Sequence, residues 1–133
     1  MKISFTVYGN PKAKKSVKVF YNKHTKRVGT YTDKDTRDYL NYIKMNAVQN
    51  KPDALLDEPL DMEIKYYLQR PKSLPKKVIY HTKKPDLDNL TKNLLDGLSG
   101  IIFRDDALIK KLVIEKHYGE PRTEITIETL GEL

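Results

Sequence analysis

A chain of 133 residues can bury one hydrophobic core but not two, and without cysteine it can hold neither a disulfide framework nor a thiolate metal site. Lys and Arg number 25 against 18 Asp and Glu, a net charge of +7 that draws polyanions and makes nucleic acid the leading partner class. The three histidines do not fall at zinc-ligand spacing, so any metal ion must be a hard one held by oxygen.

In the run Met1–Tyr8, Ile3, Phe5 and Val7 alternate with polar residues and stop at Gly9-Asn10-Pro11, which predicts a half-buried strand. The run lacks the long apolar stretch of a signal peptide or membrane span, and the expectation is a cytoplasmic protein with no membrane partner. Val17 to Tyr21 and Arg27 to Tyr31 are β-rich runs around Asn22-Lys23-His24-Thr25-Lys26, a predicted hairpin. Lys12, Lys14, Lys15, Lys18, Lys23, Lys26 and Arg27 lie in or beside it, and so much charge turns it towards solvent or DNA.

Thr32 or Asp33 can cap a helix whose apolar positions Leu40, Ile43 and Ala47, with Tyr39 beside them, recur at helical spacing to about Asn50. Lys51-Pro52-Asp53 ends it. Leu60, Met62, Ile64, Tyr66 and Leu68 alternate with Asp61, Glu63, Lys65 and Tyr67, the period of a strand with one wet face. From Arg70 to Lys84 the chain carries Arg70, Lys72, Lys76, Lys77, Lys83 and Lys84 with no acid, and Pro71 and Pro75 keep it from regular helix, so it is a basic connecting loop. Leu87, Leu90, Leu94 and Leu98 then mark a second amphipathic helix, with Gly97 or Gly100 as terminator. Leu108 to Tyr118 and Thr123 to Leu130 read as a final hairpin about Gly119-Glu120-Pro121, with Ile125 and Ile127 facing inward. The order β, β-hairpin, α, β, α, β, β predicts one α/β (α+β) domain over residues 1–133, with a mixed sheet and two main helices.

Asp86 and Asp88 stand at the mouth of the second helix directly after the basic loop, and Asp105-Asp106 follows that helix. Within a regular helix Asp86 and Asp88 would diverge by about 200°, so sharing one ion requires Asp86 to lie in an extended approach, the conformation Pro85 imposes on Lys84 before it. Clustered carboxylates repel one another unless protons or cations neutralise them. Mg²⁺ suits them because it takes carboxylate and water oxygens and leaves positions for phosphate oxygens. Each residue also has a plainer role: Asp88 as an N-cap, Asp105-Asp106 as turn residues, and Lys92 as the i,i+4 partner of Asp88 in a surface pair worth about 0.3 to 0.5 kcal/mol. An EF-hand is excluded, since the fifth and sixth positions counted from Asp86 are Leu90 and Thr91.

The string Lys84-Pro85-Asp86-Leu87-Asp88-Asn89-Leu90-Thr91-Lys92, followed by Leu95-Asp96-Gly97-Leu98 and then Asp105-Asp106 with Lys116 ten residues beyond, resembles the signature of RusA-type Holliday junction resolvases. The resemblance implies a homodimer that depends on Mg²⁺, with Mn²⁺ as substitute. Such an enzyme makes paired symmetric nicks across four-way DNA junctions in recombination and repair. Carried over residue by residue, it assigns catalysis to Asp86, Asp88, Lys92 and Asp106 and the metal to Asp86, Asp88 and Asp106, with Asp105 as a further candidate. Some relatives carry Arg before the first Asp; here Pro85 stands there, and that role passes to Lys83 or Lys84. Branched DNA would then meet Lys14, Lys15, Lys76, Lys77, Lys83, Lys84 and Lys116. Two other functions fit the same residues: a catalytically silent nucleic-acid-binding protein, and a nuclease for other branched DNA.

Overall fold

Alternation of apolar and polar residues makes strands of β1 (Lys2–Tyr8) and β4 (Leu60–Leu68), and helical spacing makes α1 (Lys34–Asn50) and α2 (Leu87–Leu98). The computed structural model describes residues 1–15 and 18–130; Val17, expected to open the first hairpin, lies outside them. The remaining elements are β2 (Lys18–Asn22), β3 (Arg27–Tyr31), β5 (Ile109–Tyr118) and β6 (Arg122–Thr129), with a single 3₁₀ turn at Asp106–Leu108.

Four strands form one sheet in the order β1-β6-β4-β5, and β2 pairs with β3 as a separate ribbon. Leu60, Met62, Ile64 and Tyr66 of β4 turn one way into the core with Phe5, Val7, Ile125 and Ile127. Ile43 and Ala47 of α1 and Leu90, Leu94 and Leu98 of α2 close that core from the helix side. The helices approach closely at Gly97, where an added Cβ would collide with the Ile43 side chain. Gly97 is therefore a packing residue inside α2, and Gly100, at φ +81°, follows the end of the helix.

The expected C-terminal hairpin is corrected. β5 and β6 do not pair; β4 lies between them, parallel to β5 and antiparallel to β6. The three-residue link Gly119-Glu120-Pro121 reaches about 10 Å, which matches two strand spacings of about 4.8 Å as well as a turn between neighbours. The choice falls to β4, buried along its helix side and needing a ladder on each edge. One consequence positions the site. β4, α2 and β5 form a βαβ unit, which sets the N-terminus of α2 near the carboxyl ends of two parallel strands, where open α/β sheets bind ligands.

Candidate metal and nucleic-acid site

The basic loop leaves β4, crosses a cis Lys84-Pro85 bond and enters α2 at Asp86, whose backbone is extended (φ −76°, ψ 147°), as a shared ion would require. Asp86 rather than Asp88 is the N-cap residue. Its carbonyl accepts the first helical bond from Leu90 N at 3.1 Å, while its carboxylate caps nothing. Asp88 sits in the first turn, where the helix dipole favours an anion. Both carboxylates are exposed, and neither has a hydrogen-bond or ion-pair partner among the described residues. Lys92, one turn further along, is exposed and likewise makes no ion pair with Asp88.

The helix carrying these groups is firmly seated. The buried Tyr66 hydroxyl and Thr91 Oγ1 share a hydrogen bond of 2.9 Å between β4 and α2. Burial pushes the Tyr66 phenol well above its ordinary range, a shift the Thr91 bond partly offsets. On the polar side of α2, Lys14 N donates to Asn89 O at 3.2 Å, Asn93 Nδ2 donates to Lys12 O at 3.0 Å, and Lys14 Nζ pairs with Asp96 at 2.9 Å. The basic segment after β1 is thus strapped along the helix. Two lysines expected at DNA therefore have acidic partners within the chain, Lys14 with Asp96 and Lys15 with Asp33 at 3.7 Å. An exposed pair such as Lys14 with Asp96 is worth about 0 to 1 kcal/mol and yields readily to a phosphate.

The second acidic pair stands elsewhere. Asp105 precedes the 3₁₀ turn, accepting from Ala107 N, and a hydrogen bond with Asp106 holds its carboxyl below the usual range. The same bond raises Asp106, aided by some desolvation and the negative charges of Asp105 and Asp96. Asp96, whose charge bears on Asp106, lies two turns and about 12 Å along the helix axis from Asp88. Among the described residues no three His, Asp or Glu side chains gather as a ready metal cage, so the three predicted ligands are not brought together in one chain. Asp86 and Asp88 still offer hard, unengaged oxygens, and Mg²⁺ commonly binds through one or two carboxylates plus water and substrate phosphate. The donor chemistry of that pair fits.

The loop that leads into the pair carries the exposed Lys76, Lys77, Lys83 and Lys84. Arg70 shapes their loop by donating to the carbonyls of Pro75 at 2.6 Å and Val78 at 2.5 Å. The β2–β3 ribbon adds Lys18, Lys23, Lys26 and Arg27, with no acid between Lys18 and Tyr31. Lys116, expected to touch DNA, donates to the main chain of the basic loop. Sequence reasoning missed that role and the staple made by Arg70, because both depend on carbonyl oxygens that leave no trace in residue type.

Residues 8–128 match the family described as Endodeoxyribonuclease RusA. The chain is also 30% identical, over 140 residues, to the uncharacterized protein YqaN of Bacillus subtilis (strain 168), with 97% of each chain covered. The family match covers nearly the whole of this mixed α+β domain: the chain belongs to the RusA endodeoxyribonuclease family. No helix among the described residues is long and apolar enough to cross a membrane.

Proposed function

We propose that this protein is a homodimeric, Mg²⁺-dependent endodeoxyribonuclease that resolves four-way DNA junctions by paired symmetric nicks, with Mn²⁺ able to replace Mg²⁺. One observation carries the reading: two exposed, unengaged carboxylates, Asp86 and Asp88, open a helix directly after a loop of unbroken positive charge. A protein that only bound nucleic acid would gain from the loop and lose from the acids, which repel phosphate. Membership of a family of endodeoxyribonucleases supports the same choice.

In this reading Asp86 and Asp88 hold the ion, which when bound stabilises charge on the scissile phosphate and lowers the pKa of an attacking water. Lys92, without an acidic partner, faces the same side of α2 as Asp88 and supplies positive charge where the transition state gains negative charge. Lys76, Lys77, Lys83 and Lys84 neutralise the flanking phosphates. Asp106 stands with Asp96 and Asp105 within one chain, so its sharing the ion of Asp86 would require rearrangement or a second copy. A twofold dimer suits a junction because it presents two like sites to two like strands.

The test is incubation with an end-labelled four-way junction in Mg²⁺ or in EDTA, with linear duplex and a flapped duplex as controls. Paired cuts in the junction, abolished by EDTA, are expected. Equal cutting of every substrate would remove the junction assignment, and binding without cutting under any divalent ion would leave a silent binder.

A further inference from the structure

In the parallel ladder of β4 and β5, Lys116 is in register with Tyr66, so both side chains leave the sheet on the helix-bearing face. There the Lys116 ammonium donates to the carbonyl of Lys83 at 2.6 Å and to that of Pro85 at 2.9 Å. A lysine has three N–H donors and no acceptor, so two of three are committed to main chain, the second immediately before Asp86. Bonds from a charged donor are about twice as strong as neutral ones. Two residues further on, Tyr118 projects from the same face. The His81 ring lies 4.6 Å from its ring, and the Arg70 guanidinium stands 5.5 Å above it. The end of β5 thus grips the basic loop at two places, and the grip nearest α2 is a cation.

We infer that Lys116 is a positioning residue: by clamping the main chain at Lys83 and Pro85 it fixes where Asp86 leaves the loop, and with it the geometry of the ion site. The inference rests on the reading of Asp86 as a metal ligand. Nothing local to β5 would suggest it, since the same lysine at a strand end looks like one more phosphate contact. The two roles differ in what they control. A phosphate contact sets junction affinity and its salt dependence; an outer partner of a ligand sets ion affinity, and removing such a partner typically costs about 10- to 100-fold in metal affinity or activity.

The experiment compares wild type, Lys116→Met, which keeps chain length without donors, and Lys116→Arg, which keeps charge and donors. Four quantities are read: Mn²⁺ affinity by calorimetry on the protein alone, the Mg²⁺ concentration for half-maximal cleavage, junction affinity in Ca²⁺, and hydrogen exchange of residues 83–88 without ion or DNA. For Lys116→Met we expect Mn²⁺ affinity to fall about 10-fold or more and the Mg²⁺ requirement to rise in step. Exchange at 83–88 should quicken while α1 is unchanged, and junction affinity should stay within about twofold of wild type. Lys116→Arg should restore most of the ion affinity. Loss of junction affinity with ion affinity intact would overturn the inference and make Lys116 a DNA contact; no change in exchange or ion affinity would overturn it as well. Should Lys116→Met not fold, Lys116→Gln, which retains one donor group, is read by the same four measurements. Failure of the wild type itself to bind Mn²⁺ or cut DNA would sink the nuclease reading separately, and the exchange measurement would still report on the clamp.

Discussion

The helix α2 and the β2–β3 ribbon are opposites in how firmly the rest of the chain holds them. α2 buries Leu90, Leu94 and Leu98, shares a buried hydrogen bond with β4 and packs backbone-close against α1 at Gly97. The ribbon exposes Val19, Phe20, Tyr21, Val28 and Tyr31 and is built mainly on its own pairing, with Asn22 closing the turn and Phe20 lying across Gly29. A lone two-stranded hairpin is marginally stable in water. On the proposed function the contrast separates two tasks: carboxylates that would hold an ion open a well-anchored helix, while a basic ribbon that would follow a variable polyanion needs charge and reach more than rigidity.

Substitutions that separate stability from function would break that comparison. The largest effect is expected inside the anchor: Leu94→Ala should cost about 2 to 5 kcal/mol, read as a lower midpoint in urea. Next comes Lys92→Ala, which should leave the urea midpoint and junction affinity near wild type and slow cleavage by about 10² to 10³-fold, measured by single-turnover kinetics; an equal loss of binding would make Lys92 a docking residue. In the ribbon, Lys23→Gln with Lys26→Gln should leave the melting temperature unchanged and lower the slope of log affinity against log salt by about 2. An unfolded ribbon double mutant, or an unchanged slope, would contradict its assignment to DNA.

The smallest effect concerns the hydrogen bond under α2. Tyr66→Phe should cost about 1 kcal/mol at neutral pH by leaving Thr91 without its partner. Its pH dependence follows from the raised phenol. The folded chain keeps the proton that the unfolded chain loses above the ordinary value of 10.0, so this stabilisation is complete below pH 10 and declines as pH rises past it. Urea midpoints from pH 8 to 11 should fall more steeply for wild type than for Tyr66→Phe, so the gap between them narrows.

What was legible in the sequence divides along the line between local and distant interactions. The alternation in β4 and the leucine spacing of α2 fixed both elements within a residue or so, because one face of each meets the same core along its length. Asp86 lies in the extended approach that a shared ion was expected to need, and it takes the cap position that the sequence had offered to Asp88. The β5–β6 link looked like a hairpin because a short turn does not reveal a third strand between its ends. Asp106 was grouped with Asp86 and Asp88 on the family pattern, a grouping that the described residues of one chain do not bring together as a cluster of three. Lys14 and Lys116 read as exposed positive charge, and their partners, a helix carboxylate and two loop carbonyls, are remote in the chain.

The central claim is that Asp88 serves an ion rather than the helix. Asp88→Asn keeps the shape of the side chain and removes the charge. The account predicts that junction cleavage in Mg²⁺ collapses and Mn²⁺ affinity falls further than in Asp106→Asn. Junction affinity in Ca²⁺ should hold or tighten, as one negative charge near the phosphates is gone, and the ion-free melting temperature should stay within a few degrees of wild type. Wild-type cleavage by Asp88→Asn would contradict it, whatever the family match implies.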